Sequence, residues 1–333
     1  MDITYIFRHP CKERSIERVF EPIMERMKES GHNVKSDFAY VCRFWPWAII
    51  RNMMYYARLS RKGICHITGD VQYVACFMKR SNTVLTIHDL VLLHNKNTPW
   101  WLRKLVYWLW YYIPLKRLSY ITCISETTKQ DLIDKFPWTK GKLRVICDPV
   151  GDEFQPTPML RNNGIQKILH IGTRSNKNLL RVIEAMKGID AELRIIGKLA
   201  IEQEKALKES GIKYTNAFHL SDEDIVREYR SCNVVSFPSL FEGFGMPIIE
   251  AQAIGRPVVT SDREPMRSVS GGAGILVDPE NIESIHDGFE CLLTDNNLRQ
   301  ECIRKGYENV KQYTSAAVAA QYAKVYNAMQ TSV

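Results

Sequence analysis

The sequence predicts an α/β protein of two domains, each a parallel sheet covered on both faces by helices. Three observations lead there. At 333 residues and 45% apolar content the chain can bury two cores of ordinary size. Short apolar runs alternate with helical stretches, at 2–7, 64–67, 83–87 and 120–123, then at 168–171, 193–196, 234–235 and 258–259. Strands of a parallel sheet are buried on both faces, so they read as near-continuous apolar runs. Between the two series, residues 148–165 are rich in Pro, Gly and Asn and read as a linker.

The first strand begins at Met1-Asp2-Ile3-Thr4-Tyr5-Ile6-Phe7, with no basic segment and no cleavage site before it, so it does not read as a secretory signal. Residues 315–329 are alanine-rich and helical. The nine cysteines, at 11, 42, 65, 76, 123, 147, 232, 291 and 302, form no C-x-x-C pair and are odd in number. That favours reduced thiols in a cytoplasmic protein over a disulfide framework or a zinc site. The net charge of +8 is uneven: residues 1–150 carry 24 Lys and Arg against 13 Asp and Glu, and the remainder 21 against 24. A basic half fits nucleic acid, an anionic membrane surface or a phosphorylated substrate. No zinc-finger spacing, RNP motif or basic heptad array supports nucleic acid.

The most informative stretch is Ser239-Leu240-Phe241-Glu242-Gly243-Phe244-Gly245-Met246-Pro247-Ile248-Ile249-Glu250. The run before it, 233–238, is β-branched and aromatic and stops at Pro238, as a buried strand does. Pro247 suits the start of a helix, and Gly255 before Arg256-Pro257 ends it. Glu242 then lies in a loop and Glu250 in the first helical turn, both facing a cleft beyond the strand's carboxyl end, where open α/β sheets bind ligands. Gly243 and Gly245 admit close backbone approach, and the helix N-terminus offers unpaired N–H groups. Carboxylates accept from vicinal hydroxyls, so the pattern fits a ligand with both phosphate and sugar. The alternative is an acidic helix start after a glycine turn.

The stretch 237–262 resembles the E-x7-E signature of the retaining glycosyltransferases of family 4, also called group 1. Further matches follow in family order: Thr86-Ile87-His88-Asp89-Leu90, Cys123-Ile124-Ser125-Glu126-Thr127-Thr128, Ile168 to Arg174 with Lys177-Asn178-Leu179, and Gly271 to Pro279. The resemblance implies the GT-B fold, with two Rossmann-like domains facing each other across a cleft. Residues 1–160 would bind acceptor and 161–312 a nucleotide-sugar donor, while 313–333 would form a helix crossing back to the first domain.

The same resemblance implies site roles. Glu242 contacts the transferred sugar and Glu250 the ribose. Gly172, Thr173, Arg174 and Lys177 meet the donor pyrophosphate, where cleavage of the anomeric bond develops negative charge. Gly243, Phe244, Gly245 and Met246 hold sugar and phosphates, and His88 touches the sugar near the phosphate. Glu242, His88, Arg174 and Lys177 form the catalytic set; the base sits near Gly197-Lys198 and Phe218-His219. No metal or further cofactor is expected beside the nucleotide-diphosphate sugar. Many relatives carry a glycine-rich loop after the first strand; this chain has Arg8-His9-Pro10-Cys11-Lys12, so Arg8, His9 or Lys12 is assigned that role.

Asp222-Glu223-Asp224 spells D-x-D, but Ser221 before it makes a capping box the preferred reading over a metal site. Ser125-Glu126 reads equally as a helix cap or a ligand contact. Residues 100–118 and 43–62 mix aromatics with Arg and Lys. Pro99 and Pro114 bracket about fourteen helical residues, too few for a bilayer that needs about twenty. Interfacial contact and ordinary packing with a solvated rim both fit. The sequence thus points to a retaining, metal-independent glycosyltransferase acting on a glycan or lipid-linked acceptor in cell-surface polysaccharide synthesis, cytoplasmic or peripheral at the inner membrane face. A nucleotide-sugar epimerase, a phosphorylase of the same fold, or a non-catalytic membrane-bound partner subunit are the alternatives.

Overall fold

The computed structural model describes residues 1–9, 15–40, 45–94, 99–158 and 165–331. Lys12 and the first two residues of the 43–62 stretch lie outside them. The chain divides into two compact units: Met1–Pro149 with the segment from Ser315 onward, and Val150–Thr314.

The first unit is a six-stranded parallel sheet of β1 (Asp2–Phe7), β2 (Asn33–Phe38), β3 (Ile64–Ile67), β4 (Thr83–Ile87), β5 (Tyr120–Cys123) and β6 (Leu143–Val145), in the order β2-β1-β3-β4-β5-β6. The helix Ser315–Thr331 belongs to this unit and packs beside the helix Ser15–Glu29. Its tyrosines complete a buried polar network. Tyr326 Oη lies 2.7 Å from His66 Nδ1 and donates to Tyr5 Oη at 3.0 Å. His66 Nε2 meets Thr86 Oγ1 at 2.7 Å, and Tyr322 Oη reaches the same hydroxyl at 3.3 Å. Buried polar groups cost little when each finds a partner, and here the C-terminal helix supplies partners that the first 149 residues lack. Burial, reinforced by nearby His88, pushes the His66 imidazole down to about 3.

The second unit is a parallel sheet of β7 (Gln166–Ile171), β8 (Ala191–Ile196), β9 (Tyr214–Ala217), β10 (Val234–Phe237), β11 (Val258–Ser261) and β12 (Ile275–Val277), in the order β12-β11-β10-β7-β8-β9. Residues 150–158, read from sequence as linker, pack onto this unit. The buried Arg256 guanidinium donates to the carbonyls of Thr157 at 2.9 Å and Arg230 at 2.7 Å, and Val150 N–H bonds Tyr313 O at 2.8 Å.

One expectation is corrected. Pro114 does not end its helix. Helical turns run from Trp100 to Arg117, with a π segment at Tyr107–Tyr112 in which Ile113 N–H reaches back to Trp108 O. The wider turn accommodates a proline whose ring and missing N–H would break an ordinary α-helical ladder. Among the described residues, no helix is long and apolar enough to cross a membrane.

Candidate functional site

In the second unit the strand order reverses between β7 and β10, the switch point at which loops leave in opposite directions and open a crevice. The loop after β7 carries Gly172 to Asn178; the loop after β10 carries Pro238 to Gly245. Two apolar strands thus deliver the two most informative motifs of the sequence to one place.

The loops are joined by side chains. Lys177 Nζ lies 2.7 Å from Glu242 Oε1, with the lysine side chain 19% and the glutamate 14% exposed. Asn176 Nδ2 donates to the same oxygen at 3.2 Å and to Phe241 O at 3.1 Å. Leu240 N–H bonds Asn176 O at 2.8 Å. The Lys177 ammonium also stands 4.6 Å from the centroid of the Phe237 ring. Its methylenes cross Gly172, which holds φ +94°; a Cβ there would sit 2.9 Å from Lys177 Cγ. Gly172 is therefore needed both for its backbone and for the space the lysine uses.

Behind this pair, Asn178 is buried at φ +67° and its Nδ2 donates to Pro238 O at 3.0 Å and Pro279 O at 2.6 Å. One amide ties the ends of three strands. Thr173 Oγ1 donates to Lys198 O at 2.6 Å, and Gln203 Nε2 donates to Thr173 O at 2.8 Å. A Cβ at Gly197, φ +140°, would meet Thr173 Cγ2 at 2.8 Å, so the β7 and β8 loops pack closely. Arg174 is exposed on the same loop. Beneath it, His170 is pushed down to about 3 by burial and by Lys177, so its ring is neutral beside Ser236 Oγ at 3.1 Å.

The helix Met246–Ile254 starts at Gly245, whose φ of +122° turns the chain into it with no capping side chain. Gly243 and Met246 are half-buried. Phe244 points inward against Tyr313, with ring centroids 5.7 Å apart, so its side chain is buried and only its backbone faces the loop. Glu250 Oε2 accepts from Tyr229 Oη at 2.5 Å. Tyr229 is fully buried, and burial together with the Glu250 charge drives its hydroxyl well above the usual phenol range, so it stays a donor.

The sequence motifs gave no role to Asn176, Asn178 or Tyr229. Asn178 stands in the matched Lys177-Asn178-Leu179 run, whereas Asn176 falls between that run and the one ending at Arg174, where a polar residue at a strand-to-helix turn is the available signal. Tyr229, on the helix Asp222–Ser231, gave none. The D-x-D segment opens that helix: Ser221 Oγ accepts from Asp224 N–H at 3.1 Å while Asp224 Oδ2 accepts from Ser221 N–H at 3.2 Å, the reciprocal capping box. Among the described residues no group of three His, Cys, Asp or Glu is placed to hold a metal ion.

His88 belongs to the first unit. It follows β4, and its Nε2–H donates to Thr68 O at 2.7 Å, while Nδ1 lies 4.0 Å from Asp148 Oδ2. Gly69, φ +142°, leaves room for the imidazole, since a Cβ there would meet His88 Cδ2 at 2.9 Å. Burial raises the Asp148 carboxyl, opposed by His88. At that sheet's own switch point, Arg8 NH1 pairs with Asp70 Oδ2 at 2.7 Å, and its NH2 donates to Ser15 Oγ at 3.1 Å. His9 is half-buried beside it. Ser125 caps the next helix, accepting from Thr128 N–H at 3.1 Å.

The Lys177–Glu242 pair lies at the switch point of a parallel sheet, where open α/β folds bind ligands, and comparison with known proteins gives the family. The model of glycosyl transferases group 1 matches residues 153–309, and that of glycosyltransferase family 4 matches 15–154. The chain belongs to the group 1, family 4 glycosyltransferases. Among curated proteins it is 27% identical to O-antigen chain mannosyltransferase B of Escherichia coli over 271 residues, covering 73% of this chain and 69% of that one. It is 24% identical over 289 residues to the serotype-specific mannosyltransferase WbdA of the same organism, of which it spans about a third of the length (34%). Among solved structures, sucrose-phosphate synthase of Thermosynechococcus elongatus superposes with TM-score 0.79 at 16% identity over the whole of both chains. HepE of Anabaena in complex with UDP-glucose superposes with TM-score 0.78 at 13% identity, covering 98% of this chain and 100% of that one. Likeness at such identities shows the fold, which is GT-B.

Proposed function

We propose that this glycosyltransferase moves a sugar, with retention of configuration and without a metal, from a nucleotide-diphosphate donor to a glycan or lipid-linked acceptor in cell-surface polysaccharide synthesis. The observation that carries the reading is the Lys177–Glu242 pair at 2.7 Å across the β7/β10 switch point. A cation and a carboxylate held side by side serve opposite ends of one donor: Lys177 and Arg174 take the pyrophosphate charge that grows as the anomeric bond breaks, and Glu242 orients the sugar hydroxyls. Backbone at Gly243–Met246 adds donors at a helix start, and Glu250, braced by Tyr229, receives the ribose hydroxyls. Transfer by same-face attack needs no protein base, because the leaving phosphate accepts the acceptor's proton.

Mannose is the first sugar to test, since mannosyltransferase is the activity named for the E. coli relatives. HepE, which shares the fold, binds UDP-glucose. His88 in the first unit is assigned a sugar contact, and work at the inner face of a membrane is part of the reading.

The test is transfer from a panel of UDP-, GDP-, ADP- and dTDP-sugars to glycan and lipid-linked acceptors, with the anomeric coupling of the product read by NMR. One donor is expected to give product of unchanged anomeric configuration in the presence of a chelator. An inverted product, or activity only with added divalent metal, contradicts the mechanism.

A further inference from the structure

The first unit holds an apolar groove of about 540 Å³, separate from its sheet's switch point. Ile49, Ile50 and Met53 line one side, Leu105 and Leu109 the other, and Phe77 stands at the edge. The helix Pro46–Leu59 supplies the first wall: Ala48, Met53 and Tyr56 face the core while Trp47, Ile50 and Met54 stay exposed. The turns from Trp100 to Arg117 supply the second.

Two features fix what this groove fits. Its rim is aromatic: Trp45, Trp47, Trp100, Trp101 and Trp108, five of the chain's seven tryptophans, are exposed on the lining segments, and Phe77 is 65% exposed. Its charge has one sign. Residues 45–62, 71–82 and 99–118 hold ten Lys and Arg and no Asp or Glu. Two of these cations are already stacked on exposed aromatics, Arg51 over Tyr40 with Cζ 3.6 Å from the centroid and Lys104 over Trp100 at 5.0 Å. Five exposed tryptophans and Phe77 gathered around one apolar groove mark an interaction surface rather than scattered surface apolar residues. Facing another copy of itself, the patch would set like charges together. Indoles and cations around a slot for a hydrocarbon match the headgroup level of an anionic bilayer.

We propose that this groove takes one acyl chain of an anionic bilayer phospholipid, while the Trp and Arg/Lys rim lies among the headgroups. The site docks the first unit on the membrane. It deepens the peripheral-membrane part of the function proposed above and rests on it; the nucleotide site lies in the other unit and can be scored separately.

The experiment uses the full chain with vesicles of phosphatidylcholine alone or with 30 mol % phosphatidylglycerol, some carrying bromines on the acyl chains. Expected are binding that needs the anionic lipid and quenching of tryptophan fluorescence by the chain bromines. Ile50→Asp and Phe77→Asp, both at exposed positions, should weaken binding at least tenfold and abolish the quenching. Arg51→Glu and Lys104→Glu should each weaken binding about fivefold or more, as roughly 1 kcal/mol per cation near such a surface implies. All four variants should keep the wild-type circular dichroism and the wild-type nucleotide-induced rise in Tm. Vesicle binding without bromine quenching, or unaffected by Ile50→Asp and Phe77→Asp, overturns the proposal. So does a dimer in light scattering that Ile50→Asp dissociates, since a second copy then fills the groove. Loss of the nucleotide response in the wild type would instead count against the donor site.

Discussion

Lys177 Nζ and Glu242 Oε1, 65 positions apart in sequence, meet at 2.7 Å where β7 and β10 part. Charge-assisted hydrogen bonds are short and strong, and this one is largely shielded from water. Glu242→Ala removes the carboxylate proposed to orient the sugar and takes the anionic partner from the Lys177 ammonium, which keeps the Phe237 ring beside it. Transfer turnover is expected to fall by about 10² to 10³, as for loss of one charge-stabilising group, with the fold retained. Lys177→Ala should fall similarly, and the double variant by less than the product of the two losses. Additive losses would mean that the two residues do not act as a unit.

Gly172→Ala is expected to damage the same pair from behind. Its φ of +94° strains any side chain, and the added Cβ lies 2.9 Å from Lys177 Cγ and 3.0 Å from Cε. About 1–3 kcal/mol of stability should be lost. Calorimetry reads that as a fall in Tm of roughly 2–4 °C per kcal/mol, and donor affinity should fall with it. Unchanged donor affinity would separate Gly172 from the lysine.

Tyr229→Phe deletes the hydroxyl that holds Glu250 at 2.5 Å. A hydrogen bond to a charged group contributes about 1.5–3 kcal/mol. If Glu250 binds ribose in the ground and transition states alike, the KM for donor should rise about tenfold or more with kcat little changed. A change in Tm alone, with KM intact, would leave Glu250 structural.

Acid should destabilise both units for the same reason. His66 and His170 are each pushed down to about 3, chiefly by burial, whereas an unfolded histidine titrates near 6.5. Above pH 6.5 neither state takes the proton and stability is full. Between about 6.5 and about 3 the unfolded chain binds a proton that the native one refuses, so stability falls as pH falls. At pH 5 each imidazole is expected to cost about 2 kcal/mol. Calorimetry from pH 7 to pH 5 should show Tm dropping, with a shallower slope in His170→Gln. A flat profile would contradict neutral, buried rings.

The sequence-based strands and the observed ones differ in a regular way. β1, β3, β4, β5, β7, β8, β10 and β11, marked by their apolar runs, are the interior strands of the two sheets. β2, β6, β9 and β12 are the edges. An edge strand has one side bare and can do with less apolar character: Asn33–Phe38 reads Asn-Val-Lys-Ser-Asp-Phe and Tyr214–Ala217 reads Tyr-Thr-Asn-Ala, whereas β12, Ile-Leu-Val, is apolar but only three residues long. Periodicity reports burial, so it found the strands that are buried. The site was legible to the same depth. Glu242, Lys177 and Gly172 stood in local patterns, but that Lys177 rather than Arg174 reaches Glu242 follows from a lysine stem threaded past a glycine, which no spacing encodes. Tyr229 reaches Glu250 through packing of two helices, and Pro114 was misread because its π turn has no sequence mark.

The donor site itself is tested most directly by isothermal titration of UDP, GDP, ADP and dTDP into the wild-type chain and Lys177→Ala. One nucleotide should bind the wild type with a defined stoichiometry of one, and Lys177→Ala should weaken it by about tenfold or more, the loss of one charge-assisted contact to phosphate. A panel in which no nucleotide binds, or in which the bound one holds Lys177→Ala as tightly as the wild type, would contradict the assignment of the β7/β10 switch point as the place where the donor sits.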